Sequence, residues 1–273
     1  MLSPWATFFL AALAGLLALA AFLHLLGRLG PPGRALSAAL CRAPGLDLVV
    51  TIFTIAPLVA GPIVAGWAGL AAALAAQVAT VMVWTVLHEL AHPAARRGPR
   101  IVHSLNRSVG RLRNHTAVWW TAWAVPIFFF IRVAQYLVYP PLTWLIGLPR
   151  YRAADWINVS RHKFTGLVGH DLIWCLYCDW MTGVWSLGGE MLRNVESFWC
   201  PIRFDSAKKC ENCRTDFPDI AGGWVPATAD IADAAALVEQ KYPPGGFDGS
   251  GTHPWFGHPA RLTVQGRDIS RKP

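Results

Sequence analysis

Long uninterrupted apolar runs dominate the first half of the chain, with neither the alternation of a half-buried strand nor the striping of a soluble helix. The first, Trp5 to Leu26, is long enough to cross about 30 Å of hydrocarbon at 1.5 Å per residue. The second, Leu48 to Leu87, is about twice what one span needs. Gly61-Pro62 and Gly66-Trp67-Ala68-Gly69 break it, which predicts two helices over 48–66 and 69–90 joined by a very tight turn. A fourth helix is predicted over 117–139, stopped by Pro140-Pro141.

Beyond this bundle the pattern changes twice. Residues 150–199 mix Trp156, Trp174, Trp180, Trp185 and Trp199 with His170, Asp171, Asp179, Glu190 and Arg193. That blend suits helices lying in the membrane–water interface. Residues 200–273 form a polar tail rich in Pro and Gly, with one short helix at 229–242 capped by Thr228. The predicted fold is therefore all-α. It has a membrane bundle of about four spans over 1–149, an interfacial helical layer, and a small tail stapled by a cysteine-bound metal.

Composition agrees. Of 273 residues 54% are hydrophobic and 15% charged, where soluble chains carry about 25% charged. Disorder is excluded on the same figures, and fourteen Trp, thirteen Phe and five Tyr offer interfacial anchors. The formal charge of +8 is uneven: fifteen Lys or Arg against six acids through Val195 give +9, and nine against ten thereafter give −1. The excess lies mainly in the Arg-rich connections 27–46 and 93–116. The positive-inside rule puts both on the cytoplasmic side of a membrane such as a bacterial inner membrane. The expected partners are lipid and other membrane subunits, with no nucleic acid. Arg132, inside the fourth span, is expected to snorkel or meet a bundle partner such as Gln77, or else to hold an anion.

Two motifs carry chemistry. His88-Glu89-Leu90-Ala91-His92 is an HExxH, which on a helix brings two imidazoles to one face for a shared metal. Glu89 between them can act as general base on a metal-bound water. His170 and Asp171 are candidates to complete the shell, as are His103, His115 and His162. Alternatively the two histidines cap the helix or meet lipid headgroups. The window Thr85 to Arg97 resembles the first motif of site-2-protease-type intramembrane zinc metalloproteases. That resemblance, over some thirteen residues, implies His88 and His92 as zinc ligands and Glu89 as the base.

The second motif is a pair of Cys-x-x-Cys spacings, Cys175/Cys178 and Cys210/Cys213, with Cys200 between them. Two short-spaced pairs from separate segments are what a four-thiolate site requires, and both zinc and an iron–sulfur cluster satisfy it. Disulfide or dithiol chemistry is the alternative. Reduced thiolates are easier to keep in the cytoplasm, which favours that side for the C-terminal half.

These features point to an integral-membrane metalloprotein. One reading makes it an enzyme, a metallopeptidase-like hydrolase or an oxygenase, centred on His88, Glu89 and His92. The other makes it a non-catalytic subunit or assembly factor of a larger redox or energy-converting membrane complex.

Overall fold

A computed structural model describes residues 2–200, 202–206, 208 and 224–241. Among these the architecture is helical, with two isolated bridge pairs and no strand. Helix α1, Pro4–Leu26, begins with proline in its first turn, where the missing N–H costs nothing, and runs 23 residues. A short helix α2, Gly30–Leu40, fills the first Arg-rich connection, which the sequence pattern leaves as loop.

Helix α3 spans Gly45–Ala91 and folds back on itself, because Ala65 (φ −146°, ψ 28°) and Gly66 (φ 55°, ψ −141°) leave helical geometry. The reversal falls in the turn that the glycines predict. Its two arms touch where Gly61 meets Gly69: a Cβ on either would enter the other's backbone carbonyl. Pro57, inside the first arm, has no N–H to offer the carbonyl of Phe53. The side chain of Gln77, on the second arm, donates instead to that carbonyl at 2.8 Å and to Thr54 O at 2.6 Å. Gln77 is thus committed to backbone repair.

Helix α3 stops at Ala91, and Pro93 opens the five-residue α4, Pro93–Arg97. The amphipathic α5, Ile101–Val109, and α6, Arg111–Thr121, meet at Gly110, whose φ of 89° suits glycine. A 3-10 turn, Ala122–Ala124, leads into α7, Val125–Leu137, and then α8, Tyr139–Leu145. The helix stops at Leu137, just before Pro140-Pro141, and the prolines then open a new one, since proline is tolerated in a first turn. Among the described residues, three helical stretches are long and apolar enough to cross a membrane: Pro4–Leu26, Gly45–Ala91 and Arg111–Leu145. Their outer faces carry exposed Leu10, Val59, Val64, Leu74, Met82 and Phe130.

Helix α9, Ala153–Trp156, precedes the 31-residue α10, Gly169–Trp199. Last comes α11, Ile231–Lys241, whose first turn is capped by Asp230, not by Thr228. The Asp230 carboxylate accepts from Ala232 N at 2.8 Å and Asp233 N at 3.2 Å.

The chain packs as two compact units. Of the described residues, the first takes those up to 129 with 153–184, and the second 130–152 with those from 185 on. In the first, α1 lies along α3. In the second, Tyr139, Leu148 and Trp224 form a core with Leu142, Tyr151, Met191 and Val195. Asn194, fully buried there, donates to the hydroxyls of Tyr151 (2.6 Å) and Tyr139 (3.2 Å). Arg132 donates to Gln135 Oε1 at 2.8 Å and lies 4.0 Å from the centre of the Tyr136 ring. These are neighbours about one turn away on its own helix.

Candidate metal centre

Helices α1 and α3 both end at the same place, and each brings histidine to it. His24 stands in the last turn of α1, His88 in the last turn of α3, and His92 caps α3. One ligand atom from each of the three lies within 4.8 Å of the others. The His88 and His92 rings stack at 4.3 Å, as the i, i+4 spacing dictates. His24 meets both edge-on, at 5.2 and 5.6 Å. Trp84, one turn earlier on α3, stacks on His88 at 4.6 Å and walls one side.

Hydrogen bonds set the tautomers. The carbonyl of His88 can only accept, so His92 donates to it through Nδ1–H at 2.9 Å, leaving its Nε2 lone pair free. His88 Nδ1 accepts from the backbone N–H of Gly169 at 3.1 Å. Its proton is therefore on Nε2. Gly169 has φ 52°, and a Cβ there would collide with the Glu89 side chain. Only glycine lets the start of α10 come this close.

Glu89, between the two motif histidines, is engaged in an ion pair. Arg100, with a side chain only 3% exposed, donates from Nη2 to Glu89 Oε1 and from Nε to Asp171 Oδ2, both at 2.8 Å. Arg100 Nη2 also reaches Val168 O at 3.2 Å. The other oxygen of Asp171 accepts from Val102 N at 3.0 Å, so a residue of α10 caps α5. Burial opposes charge on both partners. It is outweighed at Arg100 by the two carboxylates, which hold the guanidinium above its ordinary value. At Asp171, where burial again acts the other way, neighbouring donors hold the carboxyl below its ordinary value. Arg100 and Val102 N–H make those bonds, whereas His170 Nδ1 stands 3.9 Å off, too far for a hydrogen bond.

The candidate extra ligands are placed elsewhere. Both oxygens of Asp171 are engaged. His170 Nε2 accepts from Trp174 Nε1 at 3.1 Å, and its buried Nδ1 has no hydrogen-bond partner among the described residues. His115 packs edge-on against His170 at 5.0 Å. Cys175 and Cys178 lie one turn apart on α10 as free, half-buried thiols, with Cys178 Sγ 3.8 Å from Thr182 Oγ1. Burial pushes the Cys175 thiol up, against the pull of Arg161. Cys200 is free and exposed, and Cys210 and Cys213 fall outside the described residues.

His24 is the site residue that neither motif contains. A signal for it exists in the sequence: it precedes the first Arg-rich connection as His88 precedes the second. An orientation that puts both connections on one side puts His24 on the same side as the HExxH, and the packing of α1 along α3 brings them together. No protein-family model matches the chain, and no characterised protein or solved structure matches it.

Proposed function

We propose that this chain is an integral-membrane metalloprotein whose metal is held by His24, His88 and His92. The observation that carries the reading is the convergence of three imidazoles from two apolar helices at one end of the bundle. Polar nitrogens at such a position need a partner, and imidazole suits zinc, copper, iron or nickel. Zinc is the preferred assignment, because three histidines leave its fourth tetrahedral position open to water or substrate.

On this reading the protein is a metal-dependent hydrolase of metallopeptidase type. A zinc held there would supply an activated water, and Glu89, held by Arg100, would act on it as general base. Counting the two arms of α3 separately gives four spans. The connection after His24 and the segment after His92 then share the cytoplasmic side of a bacterial inner membrane, in line with their arginines. A separate zinc or iron–sulfur centre draws on Cys175, Cys178, Cys210 and Cys213, with Cys200 as a reserve thiolate.

One observation favours a second reading, a non-catalytic subunit or assembly factor of a membrane complex. Glu89 Oε1 is bonded to a buried arginine, as a structural ion pair would be. Elemental analysis of the purified chain decides whether a histidine metal exists. His24→Ala, His88→Ala and His92→Ala should each lose one equivalent that Cys175→Ser/Cys178→Ser keeps; retention in all three would sink the metal centre. With metal present, Glu89→Gln separates the readings, since only an enzyme loses turnover while keeping its metal.

A further inference from the structure

We infer that α5 is a membrane-surface anchor that selects anionic phospholipid, an inference that rests on the membrane-embedded reading above. The helix connects two of the stretches long enough to span, so its place in the chain is at the edge of the apolar layer. Ile101, Leu105 and Val109 recur every four residues and share one face. They are 52%, 44% and 48% exposed, so nothing in the chain's described residues covers that face. The inner side is already used: Val102 is buried, and Asn106 Oδ1 accepts from Asn114 Nδ2 of α6 at 2.9 Å.

Charge says what covers the apolar face. Between Glu89 and Asp155 the chain has nine arginines and no acidic residue. Arg100 spends its charge on Glu89 and Asp171. Arg107, Arg111 and Arg113, on and just after α5, have no ion-pair partner among the described residues and are exposed. An apolar strip on a helix whose opposite, polar face carries Arg107, with Arg111 and Arg113 just after it, fits a leaflet whose acyl chains take the strip and whose anionic headgroups take the guanidiniums. A soluble acidic protein would satisfy the arginines and leave the strip wet. A neutral lipid surface would do the reverse.

The same helix begins at the histidine site. Its first turn is capped by Asp171 and preceded by Arg100. Seating α5 on lipid therefore also holds the residues that fix Glu89.

The test is hydrogen exchange of the full chain in lipid nanodiscs made of phosphatidylcholine alone or mixed with phosphatidylglycerol. Amides of 101–109 should exchange more slowly in the mixed discs. Arg107→Gln/Arg111→Gln/Arg113→Gln should lose that difference, and the corresponding lysine triple variant should keep it. Unchanged exchange of α1 certifies that the variants are folded. Equal exchange of 101–109 in the two discs for the native chain would overturn the inference. So would a difference that the glutamine variant retains. A native chain that stays in aqueous solution without detergent or lipid would instead refute the membrane reading itself.

Discussion

Glu89 and Arg100 are joined at 2.8 Å although one lies near the end of α3 and the other just before α5, and the arginine carries a second carboxylate, Asp171, at the same distance. Arg100 is thereby the hub that ties the end of α3, the start of α5 and the start of α10 together.

Removing that hub leaves Asp171 buried without its counter-charge. Arg100→Met should cost about 3–5 kcal/mol, the range for breaking a buried pair. At roughly 2–4 °C per kcal/mol for a chain of this size, the unfolding midpoint falls by on the order of 10 °C. Arg100→Met/Asp171→Asn should cost less than the sum of the single changes, by about 0.5–3 kcal/mol. Thermal unfolding followed by tryptophan fluorescence in detergent measures the cycle, and simple additivity would remove Arg100 from its central place.

Asp171 also predicts a pH dependence. Its folded pKa is depressed below the unfolded value of about 3.9. The carboxylate therefore contributes full stability above that value, and the contribution fades as pH falls through the lower folded pKa. From pH 7 to 5 the gap in midpoint between the native chain and Asp171→Asn should stay constant, then narrow below about pH 4. A gap that narrows already between pH 7 and 5 contradicts the depressed pKa.

Metal uptake should be felt at Gly169. An imidazole bound through Nε2 carries its proton on Nδ1 and can no longer accept the Gly169 N–H. An imidazole bound through Nδ1 displaces that N–H directly. Either way the 3.1 Å bond is lost. Adding zinc to the metal-free chain should speed hydrogen exchange of the 168–170 amides while slowing that of the ends of α1 and α3. Slower exchange at Gly169 on loading would mean that His88 is not a ligand.

Glycine substitutions should sort by what they meet. Gly69→Ala drives a methyl group into the Gly61 carbonyl, and Gly169→Ala drives one into Glu89 from a positive φ. Gly66→Ala strains the backbone at φ 55° but meets open space. Strain alone costs about 1–3 kcal/mol, and the first two substitutions add a collision, so they should lower the midpoint further than the third. Equal losses in the same unfolding assay would mean that the arms of α3 are not in contact.

The cysteine centre has its own readout. Free, with its pKa raised, Cys175 should alkylate slowly at pH 7 and progressively faster toward pH 9. If Cys210 and Cys213 join it around zinc, alkylation should be blocked at every pH until a chelator is added. Mass spectrometry of iodoacetamide-treated protein with and without chelator distinguishes the two, and chelator-independent labelling would exclude the four-thiolate site.

Much of this protein is legible in its sequence because the signals are local. Apolar length predicts α1 at 5–26 against the observed Pro4–Leu26. The glycines around Gly66 predict the reversal inside α3, because only a residue free to take positive φ turns two helices so tightly. The i, i+4 spacing alone brings His88 and His92 together. A less local feature misled: the first Arg-rich connection holds a helix, because proline and glycine mark a break but do not set the conformation on its far side.

What only the tertiary structure decided is partnership across distance. The third imidazole comes from His24, sixty-four positions before His88. Glu89 finds Arg100 and, through it, Asp171, although the motif's spacing favours a catalytic base and neither partner lies in the motif. Gln77 donates to the carbonyls around Pro57, twenty-three and twenty-four positions earlier, which no local spacing announces. Sequence periodicity fixes which side chains share a helix face. It carries no information on which faces meet, because that depends on close packing and on the cost of leaving a buried polar atom unpaired.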